Sequence, residues 1–257
     1  MVDDARGDAA LAAELVRDAG LLAARMLREG LDVEHKTSIS DVVSAADRAA
    51  EQLVVARLRK LRSDDGIVGE EGTEDAGGHR TWFIDPVDGT YNFLHGLPTW
   101  CSALALSESA EAIPLLGAIY DPAAAELWLG GTDEPATLNG SKLPALADKA
   151  LAEVSLASYL HPPRFADESL RGPWLRAVSQ AATLRMLGSG SVELAAVAAG
   201  RLGASLQADT LPWDWLPGAA LVNAAGGATE VIEVHGHRWH VAGSRQAVAE
   251  ILALLER

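Results

Sequence analysis

The chain has 257 residues, of which 49% are hydrophobic, and its 36 acidic and 21 basic side chains give a formal net charge of −15. This balance is typical of a globular protein and argues against charge-driven binding to nucleic acid or an anionic membrane, because both need basic surface. The single cysteine, Cys101, excludes an intramolecular disulfide and favours a reduced, cytoplasmic location. The acidic first residues are not typical of a secretory signal, and no apolar run is long enough to predict a membrane span.

Residues 1–145 are expected to form a first lobe that begins with two helices. Apolar residues at helical spacing predict helices over 8–29 and 44–62. Ser44 is the predicted N-cap of the second helix, and Asp47 is expected to face outward on its first turn. Strands are predicted over 66–69, 81–84, 102–106, 115–120 and 126–129, before a turn at Asn139-Gly140.

Residues 146–257 are expected to form a second lobe, joined to the first in one compact unit across a soft boundary at 143–150. Because strands and helices mix throughout the chain, the predicted fold class is α/β or α+β. The cluster of His235, His237 and His240 could bind a metal ion, but its spacing on a strand-like turn near the end of the chain favours a surface turn. The strands of this lobe are predicted over 154–158, 204–208 and 231–234, and its helices over 174–182, 191–199, 217–225 and 244–255.

The segment from Trp82 to Phe93 carries the most chemical information. Its apolar strand is expected to end abruptly at Asp85-Pro86, and Asp88 follows three residues after the first aspartate. The fixed backbone angle of the proline can turn both carboxylates, and the carbonyl between them, toward one point. Gly89-Thr90 then resembles the start of a helix, whose free N–H groups bind anions. Carboxylates beside an anion site require bridging cations, and hard oxygen ligands favour Mg²⁺, with Mn²⁺ as a substitute. The same pattern alone also fits an ordinary turn.

Three further acidic positions strengthen the metal hypothesis, and each has a simpler alternative. Glu70-Glu71 stands between glycines after a short apolar strand, which also fits a solvated loop. Asp214 stands between two tryptophans, where an unpaired buried charge would be costly, yet it also fits an N-cap of the following helix. Asp47 fits either a functional acid or a first-turn cap.

Together these pieces resemble the inositol monophosphatase family. The resemblance covers most of the chain, with the pieces in the order and spacing of the family. It implies a layered αβαβα sandwich, a site between the two lobes, lithium sensitivity and a homodimer. The matching pieces are Asp41 to Asp47, Gly69-Glu70-Glu71, Asp85 to Phe93, Gly188-Ser189, and Trp213-Asp214 through Gly226-Gly227.

The resemblance also implies a role for each site residue. Glu70, Asp85 and the Val87 carbonyl would bind a first Mg²⁺, Asp85, Asp88 and Asp214 a second, and a third, weaker ion would lie near Glu70. The implied catalytic group is Asp47, Thr90 and Glu70, of which Thr90 and Asp47 would orient and deprotonate the attacking water. Phosphate would be held at Asp88, Gly89 and Thr90. The substrate would contact Gly188, Ser189, Gly190, Gln207 and Asp214.

The expected activity is Mg²⁺-dependent hydrolysis of a small polyol or sugar phosphate, with inositol monophosphate first. Gln207 stands where the inositol-type enzymes often have an acid, and Tyr91 stands where a smaller or basic residue is frequent, so strict inositol specificity is not implied. Histidinol phosphate, fructose 1,6-bisphosphate and nucleotide 3′-phosphates are the alternatives. A bisphosphate would need basic residues near the cleft, and Arg185 is the one to examine. Cys101 is expected to be a small buried residue. Some bacterial relatives bind the transcription machinery instead, but the complete acidic set favours an enzyme.

Overall fold

The computed structural model describes residues 7–29, 33–35 and 42–257, with only the backbone described for 33–35 and 42–44. Asp41 and the side chain of Ser44, the predicted N-cap, therefore lie outside the described residues. The two predicted N-terminal helices are present as α1 (Asp8–Glu29) and α2 (Ala45–Leu61), which pack against each other. Between them, β1 (Val33–His35) pairs antiparallel with β2 (Val42–Ser44).

Eight strands form the first sheet, and α3 (Thr90–Leu94) follows the third of them. The strands are β3 (Gly66–Gly69), β4 (Glu74–Asp75), β5 (Thr81–Asp88), β6 (Cys101–Ser107), β7 (Leu116–Asp121), β8 (Glu126–Gly131), β9 (Thr137–Leu138) and β10 (Ser141–Lys142). Their order is β10-β9-β8-β7-β6-β5-β3-β4. Only the β3–β5 pair of this sheet is parallel. Asn139 and Gly140, both with positive φ, form the predicted turn between β9 and β10.

Five strands form the second sheet, and four helices accompany them. The strands are β11 (Ser155–Ser158), β12 (Thr183–Arg185), β13 (Ala204–Ala208), β14 (Ala228–Val234) and β15 (His237–Gly243). The helices are α4 (Glu168–Val178), α5 (Gly190–Ala198), α6 (Pro212–Ala224) and α7 (Arg245–Leu255), with short 3-10 turns at Leu151–Glu153 and Pro162–Ala166. The strand order is β12-β11-β13-β15-β14.

The elements stack in five layers. Apolar side chains of α1 and α2 pack on one face of the first sheet, and those of α5 and α6 pack on its other face. The second sheet contacts α5 and α6 in turn, and α4 and α7 cover its far side. This αβαβα sandwich confirms the predicted mixture of strands and helices. Within the described ranges, no helix combines the length and apolar character that a membrane span requires.

Both predicted lobes contribute to the middle layers. The first sheet ends at Lys142 and the second begins at Ser155, on either side of the predicted boundary. However, α5 and α6 belong to the predicted second lobe, and they complete the core of the first sheet through residues such as Leu194 and Leu221. The division at 145/146 therefore stays a prediction.

Helix α6 begins five residues earlier than the sequence predicted. Pro212 occupies its first turn, and Pro217, the predicted start, lies inside the helix. Two prolines in close succession give the same start signal, and only the first matches the observed N-terminus. Leu211 is the N-cap, so the interpretation of Asp214 as a cap is wrong; the aspartate lies within the first turn.

Two other predictions for the second lobe need correction. Helix α4 begins at Glu168 rather than 174, because Asp167 caps it by accepting a hydrogen bond from the Ser169 N–H at 3.0 Å. His237 and His240 belong to strand β15 rather than to a surface turn, and only His235 lies in the turn before it. Histidines interrupt the alternation of apolar residues in β15, so the sequence pattern did not predict this strand.

Candidate active site

Three aspartates meet where β5 ends and α6 begins. Asp85 pairs with Ala103 of β6 whereas Asp88 pairs with Cys101, so β5 uses one more residue than β6 over this stretch. Residues three apart in a regular strand point to opposite faces, and the extra residue of a bulge cancels that alternation. Ligand oxygens of Asp85, Asp88 and Asp214 lie within 4.8 Å of one another. The sequence predicted that the strand ends at Asp85, and this prediction is wrong: β5 continues through the bulge to Asp88.

A fourth carboxylate, that of Glu70, joins this group from the neighbouring parallel strand. Its backbone N–H donates to the Ile84 carbonyl at 3.1 Å, and its side chain is hydrogen-bonded to that of Asp85. Asp47, in the first turn of α2, lies near enough to affect the charge of Glu70. Asp47 is only 2% exposed, so the prediction that it faces outward is wrong. The reason is that this end of α2 packs against β2, β3 and β5.

Burial is the main reason that the pKa values of these carboxyl groups are raised. For Glu70, burial and then the charges of Asp214 and Asp47 raise the pKa to about 8. For Asp214, burial and then the charge of Asp88 raise the pKa to about 7. Burial likewise raises the pKa values of Asp85 and Asp88. Among the residues that the structure describes, no Lys or Arg forms an ion pair with any of the four, so the protein leaves their charge unneutralised.

The donor atoms of the cluster fit a hard divalent cation. Asp85 Oδ1 is buried and has no hydrogen-bond partner among the described residues, which is costly unless a cation binds it. Asp88 is held in place by the N–H groups of Gly190 and Ser191, which donate to its two oxygens at 3.2 and 2.5 Å. These N–H groups open α5, where the helix dipole also favours negative charge. A set of carboxylate oxygens suits Mg²⁺ or Mn²⁺.

The turn after the bulge places backbone N–H groups beside the acids. Gly89 has φ +92°, and a Cβ there would lie 3.1 Å from the Gly188 carbonyl oxygen, so glycine is required. The Thr90 hydroxyl donates to the Val87 carbonyl at 3.0 Å, which ties the first residue of α3 to the bulge. The first N–H groups of a helix lack intrahelical acceptors and can bind an anion.

A cavity of about 960 Å³ opens beside the acid cluster. Residues from both sheets and from α3, α5 and α6 line it, as the site between lobes requires. Two other predicted residues, Glu70 and Asp85, do not line the cavity. Both lie next to Asp214, which does: Asp85 is hydrogen-bonded to it, and the charge of Asp214 acts on Glu70. The predicted site residues that line the cavity are Asp88, Gly89, Thr90, Gly188, Ser189, Gly190, Gln207 and Asp214.

Sequence reasoning missed Glu193, a buried acid in the wall of this cavity. Its side chain accepts a hydrogen bond from the Leu187 N–H at 2.7 Å and another from the Gln207 Nε2 at 3.2 Å. Burial raises its pKa to about 7, and the donated N–H groups limit the rise. The bond fixes the amide of Gln207, because its nitrogen faces Glu193. An acid inside the apolar run of α5 was the available signal.

The second missed feature is the position of Cys101. Its thiol is buried, as predicted, but it lies directly behind the aspartate cluster. Its Sγ is 4.0 Å from Asp88 Oδ2 and 3.8 Å from Ser189 Oγ. Burial and then the charges of Asp88 and Asp85 raise the pKa of the thiol well above its ordinary value. The cysteine therefore stays protonated and acts as a packing residue rather than a nucleophile.

Two proteins with similar sequences are named as phosphatases. The inositol-1-monophosphatase of Bacillus subtilis is 31% identical over 229 residues, which cover 87% of this chain and 84% of that protein. The fructose-1,6-bisphosphatase/inositol-1-monophosphatase of Thermotoga maritima is 34% identical over 199 residues, which cover 76% of this chain and 73% of that protein.

A solved structure and a family model agree with these similarities. The extragenic suppressor protein suhB of Bartonella henselae superposes with a TM-score of 0.80 at 27% identity, over 95% of this chain and 98% of that one. The model of the inositol monophosphatase family matches residues 5–255. The chain thus belongs to the inositol monophosphatase family, metal-dependent phosphoric monoester hydrolases that act on phosphorylated sugars or polyols.

Proposed function

We propose that the protein is a Mg²⁺-dependent phosphomonoesterase for a small polyol or sugar monophosphate, with inositol monophosphate as the first candidate. The observation that carries this proposal is a set of four carboxylates, two buried and two half-buried, that have no Lys or Arg partner among the described residues and lie at the base of a cavity. They are Glu70, Asp85, Asp88 and Asp214. Buried charges of one sign require a counter-charge, and no Lys or Arg of the described ranges supplies one.

The ligand atoms divide into two overlapping sets. Glu70, Asp85 and the Val87 carbonyl would hold one Mg²⁺, while Asp85, Asp88 and Asp214 would hold another; a third, weaker ion would lie near Glu70. Bound Mg²⁺, or Mn²⁺ in its place, supplies positive charge that lowers the pKa of water and stabilises the phosphoryl and leaving-group oxygens. Asp85 would belong to both sets, and its Oδ1 is buried without a hydrogen-bond partner among the described residues, as expected for a group that would bind a cation.

The remaining residues position the reactants. Asp47 and Thr90, with Glu70, would orient the attacking water and accept its proton. The N–H groups of Gly89 and Thr90, at the start of α3, would hold the phosphate oxygens in line, next to Asp88. Phosphoryl transfer depends mainly on such positioning and on charge neutralisation. The polyol would contact the wall formed by Gly188, Ser189, Gly190, Gln207 and Asp214.

The charges of the cavity separate the alternative substrates. No Lys or Arg is among its lining residues in the described part of the chain. Arg185, the basic residue considered from the sequence, is exposed and donates instead to Thr183 Oγ1 and to the Leu184 carbonyl. A second phosphate would therefore lack a partner, which disfavours fructose 1,6-bisphosphate and adenosine 3′,5′-bisphosphate. Histidinol phosphate, with one phosphate, remains the alternative.

Phosphate release tests this proposal. Inositol 1-phosphate, histidinol phosphate and the two bisphosphates are assayed with Mg²⁺ and with a chelator. We expect Mg²⁺-dependent turnover of a monophosphate, with the bisphosphates at least tenfold slower in kcat/KM. Absence of Mg²⁺-dependent turnover on every substrate would contradict the proposal and would favour a binding role in the transcription machinery.

Two further properties belong to the same proposal because they rest on the family. We expect tens of millimolar lithium to inhibit the Mg²⁺-supported rate, and an unchanged rate would contradict this. We also expect a homodimer, which light scattering on the purified chain would detect. A monomer at all accessible concentrations would remove that expectation without affecting the chemistry.

A further inference from the structure

The turn that carries Glu70 is held by a carboxylate that lies outside the acid cluster. This carboxylate belongs to Glu51 of α2, which is only 3% exposed. Its Oε2 accepts a hydrogen bond from the Glu71 N–H at 2.8 Å. Its Oε1 accepts two more, from the Thr73 N–H at 3.2 Å and from the Thr73 hydroxyl at 2.6 Å. Glu51 therefore fixes the backbone that directly follows Glu70.

Backbone hydrogen bonds close the same turn on itself. The Gly69 N–H donates to the Thr73 carbonyl at 2.8 Å, and the Gly72 N–H donates to the Gly69 carbonyl at 3.3 Å. A Cβ on Gly69 would clash with the carboxylate of Glu51, so a larger residue there would displace it. Residues 69–73 thus form a closed turn that packs directly against the Glu51 carboxylate.

Helix α2 meets this turn at two points. Asp47 and Glu51 are four residues apart on the helix, so they lie on the same face, and both are buried. The charge of Asp47 acts on the side chain of Glu70, while Glu51 binds the backbone after it. The N–H of Glu70 is in turn tied to the Ile84 carbonyl of β5. One helix therefore sets where Glu70 lies relative to both Asp47 and β5.

The hydrogen bonds of Glu51 distinguish it from the acids of the cluster. Both of its oxygens are already bound by N–H and O–H groups of the chain, so Glu51 is not itself a metal ligand. In the described ranges, no Lys or Arg forms an ion pair with it. A buried carboxylate is costly, and donors on both oxygens offset that cost. An amide in its place would accept on one oxygen only.

We propose that Glu51 is a positioning residue for the metal site: it holds the turn of Glu70 against α2 and thereby sets the affinity for the Mg²⁺ that Glu70 would bind. The inference rests on the proposed function, which assigns Mg²⁺ to Glu70, and adds a residue that acts through Glu70 without contacting the ion. Removal of a group that holds a metal ligand in place typically costs about 10–100-fold in metal affinity or activity.

Calorimetric titration with Mg²⁺ alone, without substrate, tests this role. In Glu51→Gln the amide oxygen can still accept the Glu71 N–H, but the NH2 group then faces the Thr73 N–H. We expect the apparent Kd for Mg²⁺ to rise about tenfold in this variant. Thr73→Val loses only the hydroxyl bond, and its Kd should rise about twofold to fourfold. An unchanged Kd in Glu51→Gln would overturn the proposal, and if that variant does not fold, an unchanged Kd in Thr73→Val would overturn it.

The Mg²⁺ dependence of phosphate release separates positioning from a merely structural role. Glu51→Gln should need about tenfold more Mg²⁺ for its half-maximal rate, while kcat at saturating Mg²⁺ stays within about threefold of the wild type. A lower melting temperature with an unchanged Mg²⁺ requirement would overturn the proposal. Glu250→Gln is the control, because Glu250 also accepts a backbone N–H, that of Leu151, and lies on α7; it should keep the wild-type Mg²⁺ requirement.

Metal binding and turnover separate this role from the proposed function. If the wild type binds Mg²⁺ but releases phosphate from no substrate, the phosphomonoesterase function fails, and the Mg²⁺ titration of Glu51→Gln still decides the role of Glu51. If the wild type releases phosphate and Glu51→Gln keeps both the Kd for Mg²⁺ and the Mg²⁺ requirement, the role of Glu51 alone is overturned.

Discussion

Each end of strand β5 lies beside a cluster of acidic side chains, and the two clusters differ in whether arginines of the chain balance their charge. Near its start, Asp8 is bonded to Arg62 and Arg80 at 2.6 and 2.7 Å, and Asp65 is bonded to Arg80 and to the Trp82 Nε1 at 2.8 and 2.9 Å. Burial acts to raise the pKa of Asp8, but the hydrogen bonds from the two guanidinium groups outweigh it and lower the pKa. In this cluster, arginines of the chain balance the charge of both aspartates.

At the other end of β5, the carboxylates of Asp85 and Asp88 have no guanidinium partner within the described part of the chain, and burial raises their pKa values. The residue type is the same at both ends, and the strand is the same. What differs is the counter-charge: guanidinium groups of the chain supply it at one end, whereas at the other end we propose that divalent cations supply it. The comparison teaches that buried acids mark a ligand site when the fold provides no cation for them.

Asp88→Asn breaks the second cluster and has the largest expected effect. It removes one anionic ligand, so kcat should fall by about 10³-fold or more. The fold should persist with a small loss of stability, because the single amide oxygen can still accept one of the two N–H groups, that of Ser191, while the new NH2 group faces the N–H of Gly190. Phosphate release and thermal unfolding measure the two effects. Turnover at the wild-type rate would refute the role of Asp88.

Mg²⁺ should stabilise the protein more at pH 8 than at pH 6. The pKa of Glu70 is raised to about 8 and that of Asp214 to about 7, above the unfolded values, so these groups stabilise the metal-free fold while protonated. That contribution is lost as the pH rises toward 8, and the deprotonated acids then bind cations. Melting temperatures with chelator and with Mg²⁺ at both pH values give the comparison. A larger Mg²⁺ effect at pH 6 would contradict it.

Glu193→Gln sharpens the comparison, because Glu193 is a buried acid satisfied by N–H donors rather than by a cation. The amide oxygen of the variant can keep the Leu187 N–H, but its NH2 group then faces Gln207 Nε2, so Gln207 loses this bond or must turn its amide, and kcat/KM should fall about tenfold, chiefly through KM. Its control is Glu250→Gln, since Glu250 likewise accepts a backbone N–H, that of Leu151, and a glutamine amide, that of Gln246, away from the cavity. Equal kinetics for the two variants would show that Glu193 has no part in substrate binding.

Arg80→Met tests the complete cluster and has the smallest expected effect. The free energy of unfolding should fall by about 1–2 kcal/mol, because Asp8 and Asp65 lose a shared partner, while turnover is unchanged. Arg59→Met removes an exposed pair with Asp75 and should cause no measurable change. Urea unfolding of both variants gives the difference. A turnover defect in Arg80→Met would mean that the two ends of β5 are coupled.

Local signals in the sequence predicted most of the elements. Strand β13 lies where the alternation placed it, and α7 begins directly after Ser244, which caps it by accepting the Ala247 N–H. The acids of the β5 segment and of the first turn of α6 do converge, as the motifs indicated. Their catalytic roles stay predictions, since only the proximity of the side chains is established here.

What the sequence did not reveal depends on contacts between distant segments. The β5 bulge is a feature of the pairing with β6; Pro86 is compatible with it because proline cannot donate to the ladder, but the register shift itself becomes visible only when the two strands are paired. Asp47 becomes buried because of the strands against which α2 packs. Glu193 holds the Gln207 amide because the fold places β13, which carries Gln207, beside α5. Residue propensity and hydrophobic periodicity describe a few neighbouring residues, so they do not predict contacts between distant segments of the chain.

The hydrogen bonds from α5 to Asp88 also set the order in which the protein can become active during synthesis. They join residues 102 and 103 positions apart, and Asp214 is supplied later still. A nascent chain that has already made β5 lacks the helix that fixes Asp88, and it cannot gather divalent cations in this geometry. The ribosome must deliver about five-sixths of the chain before the site exists, so assembly is late and cooperative rather than local.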